Sequence, residues 1–171
     1  VKSVLLLVFY KLLFRDRLLI KSVFNIFSCS LYMRKTGGRV LFLGTFNIRR
    51  GGVFNISGGE LIIGNNVFMN FGVQIHVHER LEIGNNVLIG TNVTIYDHNH
   101  DFERGIGTYE NKYTSSPVKI GNGVWVGSNV TILKGVTIGD NSIIGSGSIV
   151  TRDVKPNTVL VQKRTDTQYQ Y

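Results

Sequence analysis

The sequence predicts a parallel β-solenoid, a coil in which short strands stack turn upon turn. The first observation is a column of aliphatic residues that recurs every six positions along residues 118–150. A second column with the same step precedes it by two residues. Neither column fits a helix, whose apolar stripe recurs every three or four residues. The third observation is a content of 20 glycines and only two prolines, which suits corners that recur many times.

Each six-residue unit of such a coil forms one short strand and one corner, and its alternate residues point inward. The aliphatic column is Ile120, Val126, Ile132, Ile138, Ile144 and Val150, and the column before it is Val118, Val124, Val130, Val136, Ser142 and Ser148. Glycines directly follow the aliphatic column at positions 121, 127, 139 and 145. Because glycine and asparagine accept a positive φ, we expect them to supply the corner conformations there.

Earlier turns follow the same pattern, with two interruptions. Irregular units at Phe42, Ile48 and Phe54 precede regular columns, which are Ile63, Met69, Ile75, Ile83, Ile89 and Ile95 with Leu61, Val67, Val73, Leu81, Val87 and Val93. The step from Ile75 to Ile83 is eight, which predicts a bulge of two residues near His76–His78. Residues 96–117 have no six-residue pattern and are predicted to leave the coil as an extruded loop. Long loops in compact repeats usually carry function.

Composition and charge exclude several classes of protein. The chain has 171 residues and a single cysteine, Cys29, so it forms no internal disulfide and suits a reducing, cytoplasmic compartment. Its net charge of +8 is concentrated near the start: residues 1–50 hold ten Lys/Arg and one acid, whereas residues 51–171 hold nine Lys/Arg and ten acids. A near-neutral coil behind a basic segment does not fit a nucleic-acid partner.

The predicted organisation is a basic, apolar helical segment over residues 1–35, a coil over 36–160 and a tail over 161–171. The longest uncharged run of the first segment, residues 3–10, is too short to span a bilayer, and no small-residue cleavage site follows it. Two compatible interpretations remain. The segment caps the coil or packs between subunits, or it is an amphipathic anchor held peripherally at the inner face of the cell membrane.

The four histidines, His76, His78, His98 and His100, all lie in or beside the two interruptions. An imidazole with a pKa of about 6.5 is suited to remove a proton from an alcohol near neutral pH. The fragment from Asp97 to Asp101 offers two imidazoles with carboxylates alongside that can orient one of them. This pattern predicts a catalytic site built on the excursions from the coil.

The longest regular run, IGNGVWVGSNVTILKGVTIGDNSIIGSGSIVTRDV, resembles the hexapeptide-repeat acyltransferases. Within them it is most similar to the maltose, galactoside and nodulation sugar O-acetyltransferases and to the capsule or O-antigen acetyltransferases. The resemblance covers roughly residues 60–160. It implies an all-β fold, a left-handed parallel β-helix with three hexads per turn, together with a homotrimer and acetyl-CoA as co-substrate.

The resemblance also implies roles for individual residues. Counting from Asn70 and back from Trp125 places the general base at His100, with His98 as the alternative. Asn70 would bind the acceptor or help to hold the oxyanion. His78 stands where those enzymes have an acceptor-binding aspartate, which puts the identity of the acceptor in question.

Two further residues complete the predicted acceptor side. Trp125 is expected to stack on a sugar or on the pantetheine arm, and Asp97 is expected beside the substrate.

For the coenzyme, the positions that match the family's binding motif are Ser128, Ser146, Thr151 and Arg152. Arg152, Lys155 and Lys134 are expected to meet the phosphates. The family's usual Gly-x-Pro-Ala-Lys turn after the last coil is missing, since residues 161–164 read VQKR.

The predicted function is acetyl transfer from acetyl-CoA to a sugar hydroxyl of a bacterial surface polysaccharide, such as a capsule, O-antigen or exopolysaccharide, or of its precursor. Two alternatives stay open: an amino-sugar N-acetyltransferase on the same scaffold, and a non-catalytic solenoid that binds a partner. A zinc site like that of the γ-carbonic anhydrases does not match the histidine spacings, and no metal is expected.

Overall fold

The computed structural model of the chain describes residues 2–22, 25–34, 37–105 and 107–163. It is a parallel β-helix, and the predicted left-handed all-β fold is confirmed. The elements, in chain order, are α1 (Lys2–Phe14), a 3-10 turn (Arg15–Arg17), β1 (Leu18–Ile20), β2 (Ile26–Met33), β3 (Arg39–Phe42), β4 (Phe46–Ile56), β5 (Glu60–Ile63), β6 (Val67–Met69), β7 (Gln74–Val77), β8 (Arg80–Ile83), β9 (Leu88–Ile89), β10 (Thr94–Tyr96), β11 (His98–Glu103), β12 (Gly107–Ser115), β13 (Val118–Ile120), β14 (Trp125–Val126), β15 (Thr131–Ile132), β16 (Thr137–Ile138), β17 (Ile143–Ile144), β18 (Ile149–Val150) and β19 (Val159–Leu160).

The coil has three faces, each a stack of parallel strands. The first face is β1-β3-β5-β8-β13-β16, with one strand per turn for about six turns. The second face contains β6-β9-β14-β17-β19, and the third contains β7-β10-β15-β18. The long strand β4 bends around the corner between them, with its first residues beside β6 and its last beside β7. β2 runs parallel along β4 and begins the second and third faces.

Both columns predicted from the sequence form the interior. Every residue named in them is at most 2% exposed. Because the strands are parallel and in register, Ile120 stacks between Ile83 and Ile138 on the first face. The two serines that end the second column are satisfied by backbone groups: the Ser142 hydroxyl donates to the carbonyl of Lys155 at 2.9 Å, and the Ser148 hydroxyl donates to that of Gly145 at 2.6 Å.

The corners differ from the prediction in one respect. The glycines that directly follow the aliphatic column do not adopt a positive φ. That conformation occurs two residues later, for example at Gly123 and Asn129 with φ of 66° and 55°. The earlier glycines are required by close approach between turns instead. A Cβ on Gly127 would lie 2.6 Å from the backbone nitrogen of Ser146 in the next turn.

The leading segment is helical over less of its length than predicted. α1 ends at Phe14, and β1 and β2 then form a first coil, paired in parallel with β3 and β4. The prediction of a helical segment to residue 35 is therefore wrong for these strands, because their backbone groups join the sheets. α1 packs Leu7 and Phe14 onto this first coil. Within the described residues no helix is long and apolar enough to cross a membrane.

The two interruptions also take definite forms. At the first, β7 continues to Val77, which adds one more fully buried residue before the corner. At the second, the segment leaves the coil between the third and first faces as an antiparallel hairpin of β11 and β12. The hairpin closes at its base where the Ser116 N–H donates to the carbonyl of Asp97 at 2.8 Å. At the chain's end, Gln162 bonds both backbone groups of Ile149, and residues 164–171 of the predicted tail lie outside the described residues.

Candidate active site

A buried carboxylate lies at the base of the hairpin. The inward row of the third face runs from Ile56 to Val77, and Asp97 directly follows Tyr96, the register partner of His76. Asp97 is 0% exposed and accepts hydrogen bonds from the backbone N–H groups of His78, Glu79 and Arg80 at 2.7–3.0 Å. A carboxylate buried this deeply has no surface for a substrate to contact. The expectation that Asp97 binds the substrate does not fit its burial.

Asp97 instead orients one of the predicted imidazoles. Its Oδ1 lies 3.0 Å from Nδ1 of His98, whose side chain is 12% exposed. Because the carboxylate accepts a hydrogen bond from Nδ1–H, it favours the tautomer in which Nε2 of His98 is unprotonated. An Nε2 lone pair of this kind can accept a proton from a substrate. The pair Asp97 and His98 therefore has the geometry of an oriented base.

The histidines form a connected strip of rings at the exit of the third face. The His78 and His98 rings stack with centroids 3.7 Å apart, and Tyr113 of β12 contacts both, at 4.3 and 5.5 Å. The His100 ring lies 4.8 Å from the same tyrosine ring. His100 is exposed and pairs in register with Tyr113 across the hairpin. His100 therefore forms the solvent end of the strip, and His98 its inner end.

Burial and mutual repulsion lower the pKa of two imidazoles of this strip and so favour their neutral form. Burial, and next the charge of His98, lower the pKa of both His76 and His78. For His78 the Asp97 carboxylate opposes this shift, whereas the charges of Arg34 and His100 add to the lowering of its pKa. His76 stacks on Tyr96 at 4.9 Å, and within the described structure its buried Nε2 has no hydrogen-bond partner. Neutral imidazoles are the form that can accept a proton.

Asn70 and Trp125 lie away from the histidines of the same chain. Asn70 follows β6 at the corner between the second and third faces, where its Oδ1 accepts the N–H of Phe71 at 2.9 Å. Trp125 lies on the second face, 53% exposed, in register with the exposed Leu88. The histidines lie at the opposite end of the third face. Within one chain these two groups of predicted residues are not brought together.

The residues predicted for the coenzyme occupy three corners. Ser128 and Ser146 stack at the entry to the third face, where the Ser128 N–H donates to Oγ of Ser146 at 3.2 Å. Lys134 and the pair Thr151 and Arg152 follow β15 and β18, at the same edge of the coil as the histidines. Lys155 follows Val154 on the first face and lies at a different corner.

Two tyrosines at this site escaped the sequence reasoning. Tyr113 contacts three of the histidine rings, and Tyr96 contacts His76 and His98. Tyr113 faces β11 only because the extruded segment pairs with itself as a hairpin. Alternation of polar and aromatic residues on both sides of the glycines at 105 and 107 is the signal that could have indicated that hairpin. Among the described residues, no group of three or more histidine, cysteine, aspartate or glutamate side chains is placed to hold a metal ion.

Comparison with known proteins is consistent with this arrangement. Residues 117–152 match the family model of the bacterial transferase hexapeptide (six repeats). Over 102 residues the chain is 47% identical to galactoside O-acetyltransferase of Escherichia coli K12. This match covers 60% of this chain and 50% of that protein. The resemblance to the hexapeptide-repeat acyltransferases is confirmed.

Solved structures with the hexapeptide coil extend the likeness. A maltose O-acetyltransferase from Clostridium difficile matches with a TM-score of 0.62 and 37% identity, over 69% of this chain and 64% of that one. A hexapeptide-repeat acetyltransferase from Vibrio cholerae, solved with acetyl coenzyme A, matches with a TM-score of 0.56 and 27% identity, over 78% of this chain and 66% of that one. The chain spans about half the length of the curated galactoside enzyme that it matches.

Proposed function

We propose that this chain transfers an acetyl group from acetyl-CoA to a sugar hydroxyl. The observation that carries the proposal is the histidine strip, which extends from a buried Asp97 to an exposed His100 on a hexapeptide coil. The solved relatives that share this coil include an acetyltransferase with acetyl coenzyme A bound and a maltose O-acetyltransferase. The imidazoles of the histidine strip can supply the proton acceptor that such a transfer needs.

The step requires one proton acceptor and no covalent intermediate. The sugar oxygen attacks the thioester carbonyl carbon while His100 takes the hydroxyl proton. The tetrahedral intermediate then loses the coenzyme A thiolate, which receives that proton from the imidazolium, and a backbone N–H stabilises the oxyanion. We assign the base to His100 because it lies at the solvent end of the strip. His98, oriented by Asp97, is the alternative.

We also propose that the complete site forms between subunits of a trimer. The histidines and the predicted pair Asn70 and Trp125 lie on different faces of one coil, so a single chain presents only half of the predicted set to any one substrate. Packing the third face of one subunit against the second face of its neighbour would bring both halves to one groove. Ser128 and Ser146 on one wall, with Lys134, Thr151 and Arg152 along the histidine edge, would then contact the pantetheine and phosphates of the coenzyme.

The test is a transfer assay with radiolabelled acetyl-CoA and paired acceptors, glucose against glucosamine and maltose against an amino disaccharide. We expect acetyl esters on the hydroxyl acceptors, and a loss of roughly 10²–10⁴-fold in kcat for His100→Ala. A matched His98→Ala variant decides between the two imidazoles. Removal of the true base should abolish the acidic limb of the pH–rate profile, and removal of the other imidazole should not. Transfer only to amines would indicate the N-acetyltransferase. No turnover with any acceptor would leave only a binding solenoid.

The location of this chemistry is proposed from α1. Five large apolar side chains, each at least half exposed, repeat with helical spacing along its outer side: Leu5, Val8, Phe9, Leu12 and Leu13. Exposed cations, including Lys11 and Arg15, adjoin this stripe. We propose that the stripe lies in the interface of an anionic membrane, where precursors of surface polysaccharide are available.

Sedimentation with vesicles tests this location. We expect the chain to bind vesicles that contain anionic phospholipid. Binding should be lost in Leu12→Glu and absent with purely zwitterionic vesicles. If Leu12→Glu changes the oligomeric state and leaves vesicle binding unchanged, a second copy of the chain covers the stripe instead.

A further inference from the structure

A cleft of about 610 Å³ opens between α1 and the strands that begin the third face. Six of the residues that line it have aromatic, amide or cationic side chains: Tyr10, Phe14, Arg17, Tyr32, Arg34 and Asn55. The volume falls in the range of ligand pockets, roughly 300–1,000 Å³. The lining contains two guanidinium groups and no carboxylate among the described residues. A cleft of this composition suits a ligand with a ring and a negative charge.

The walls of the cleft are fixed by contacts within the chain. The Tyr10 hydroxyl accepts the N–H of Leu31 at 3.2 Å, which fastens α1 to β2. Tyr10 stacks on Phe14 with ring centroids 6.0 Å apart. Arg17 lies over the Phe14 ring at 5.6 Å and donates two bonds from Nη1, to the carbonyls of Arg34 and Gly37, both at 2.8 Å. Ordered walls reduce the entropy cost of binding a ligand there.

Both guanidinium groups retain the capacity to bind an anion. None of the ion pairs found among the described residues involves Arg17 or Arg34. A guanidinium carries five N–H groups, and the bonds of Arg17 to the two carbonyls use only those on Nη1. Arg34 is exposed at the edge of the cleft. Guanidinium groups of this kind bind a carboxylate or a phosphate group through bidentate hydrogen bonds.

The cleft and the histidine strip lie along the same strand ladder of the third face. Tyr32, Asn55 and His76 are successive partners in the parallel register of the third face. Two residues after each of these, Arg34, Ser57 and His78 continue the same ladder. The Arg34 N–H donates to the carbonyl of Ile56, and the Ser57 N–H donates to that of Val77. Arg34 is thus two strands, or about 10 Å, from His78 along the backbone ladder. Its charge is among the causes that lower the pKa of His78, behind burial and the charge of His98.

We infer that this cleft binds the acceptor and that the acceptor is an anionic saccharide. Its carboxylate or phosphate contacts Arg34 and Arg17, one sugar ring lies against Tyr32, and a neighbouring ring presents its hydroxyl to the histidine strip. The inference rests on the proposed acetyl transfer for the role of the hydroxyl. Binding of the anion itself does not depend on that role.

The experiment compares acceptors that differ only in charge. p-Nitrophenyl β-glucuronide carries a carboxylate where p-nitrophenyl β-glucoside carries a hydroxymethyl group, and glucose 1-phosphate tests a phosphate against glucose. Binding is measured by calorimetry and acetyl transfer by radiolabel, both on the full chain. We expect the wild-type protein to bind one anionic member at least tenfold more tightly than its neutral match, and Arg34→Gln to remove that preference. Whichever pair shows the preference identifies the charged group.

Matched variants make the outcome decisive. Lys119→Gln removes one positive charge from the first face, far from the cleft, and should leave the preference unchanged. Tyr32→Glu places a carboxylate in the cleft without disturbing the core, since Tyr32 is 60% exposed. It should weaken the anionic ligands more than the neutral ones, which lose only the contact with the tyrosine ring, and so reduce the preference even if Arg34→Gln fails to fold.

The two proposals fail separately in this design. Equal binding of charged and neutral partners by the wild-type protein, or an unchanged preference in both Arg34→Gln and Tyr32→Glu, overturns the cleft assignment. Acetyl transfer to neutral sugars would then still stand. Anion binding at the cleft with no acetylation of any acceptor would overturn the proposed function and leave the cleft.

Discussion

The substitution Asp97→Asn tests whether one buried carboxylate holds both the corner of the coil and the imidazole of His98. Asparagine keeps the shape of the side chain but replaces an acceptor oxygen by an N–H₂ donor. In the wild-type protein the two oxygens accept three backbone N–H groups and Nδ1 of His98, at 2.7–3.0 Å. The remaining amide oxygen is neutral. Only part of this set can be satisfied after the change.

The magnitude follows from these bonds. A hydrogen bond to a charged group contributes about 1 kcal/mol more than one to a neutral group, so three weakened backbone bonds cost about 3 kcal/mol in free energy of unfolding. For a chain of this size each kcal/mol lowers the melting temperature by about 2–4 °C. We therefore expect a fall of about 6–12 °C. The new N–H₂ group facing Nδ1 would also favour the opposite tautomer of His98, which carries its proton on Nε2 and is a poor base.

Thermal unfolding followed by circular dichroism measures the first effect. The transfer assay detects the second only if His98, and not His100, is the base. Asp140→Asn is the matched control, because Asp140 is exposed and continues a corner ladder whose other members, at positions 65, 85 and 122, are already asparagine. It should change the free energy of unfolding by less than about 0.5 kcal/mol. A melting temperature for Asp97→Asn indistinguishable from that of Asp140→Asn would refute the reasoning.

Three further outcomes are expected. Lowering the pH from 7 to 5 should reduce the free energy of unfolding. The pKa of His78 is lowered in the folded chain, so the same histidine in the unfolded chain, with a pKa of about 6.5, takes up a proton first. Urea titrations should show a weaker pH dependence of this free energy for His78→Asn, and the same dependence as in the wild-type protein would contradict the prediction. Gly127→Ala should cost about 1–3 kcal/mol through overlap with the next turn, whereas Gly145→Ala, whose Cβ would meet nothing closer than 3.1 Å, should cost less. Asn129→Ala should destabilise by about 1 kcal/mol at its positive φ and Asn129→Gly should not, so equal melting temperatures would count against a conformational role.

The parts of the site that the sequence predicted and missed have a common physical basis. The excursions carrying the histidines were visible because they broke a strict period, and His98 and His100 lie on the hairpin that replaces the broken units. The expectation that Asp97 lies beside the substrate does not account for its burial. That burial comes with hydrogen bonds from the backbone N–H groups of residues 78–80 in the preceding turn, which a step count along the chain does not show.

The leading segment differs from the prediction for a related reason. Residues 18–33 are apolar enough for either a helix or a strand, and no six-residue column marks them. Their pairing with β3 and β4 satisfies backbone groups that would otherwise form exposed edges at the end of the coil. That gain exists only when the neighbouring turns are already in place. The tertiary structure therefore decided between the two conformations.

The sequence by itself determined the coil, its interior columns and the two places where the regular step is broken, because a six-residue period is a local property that one strand and one corner impose on every turn. Only the tertiary structure decided which polar groups meet: Asp97 with the backbone N–H groups of residues 78–80, and His78 with Tyr113. These contacts join residues that are far apart along the chain or face one another only through a register. They depend on the register between strands of successive turns, and that register is fixed only when all the turns are stacked.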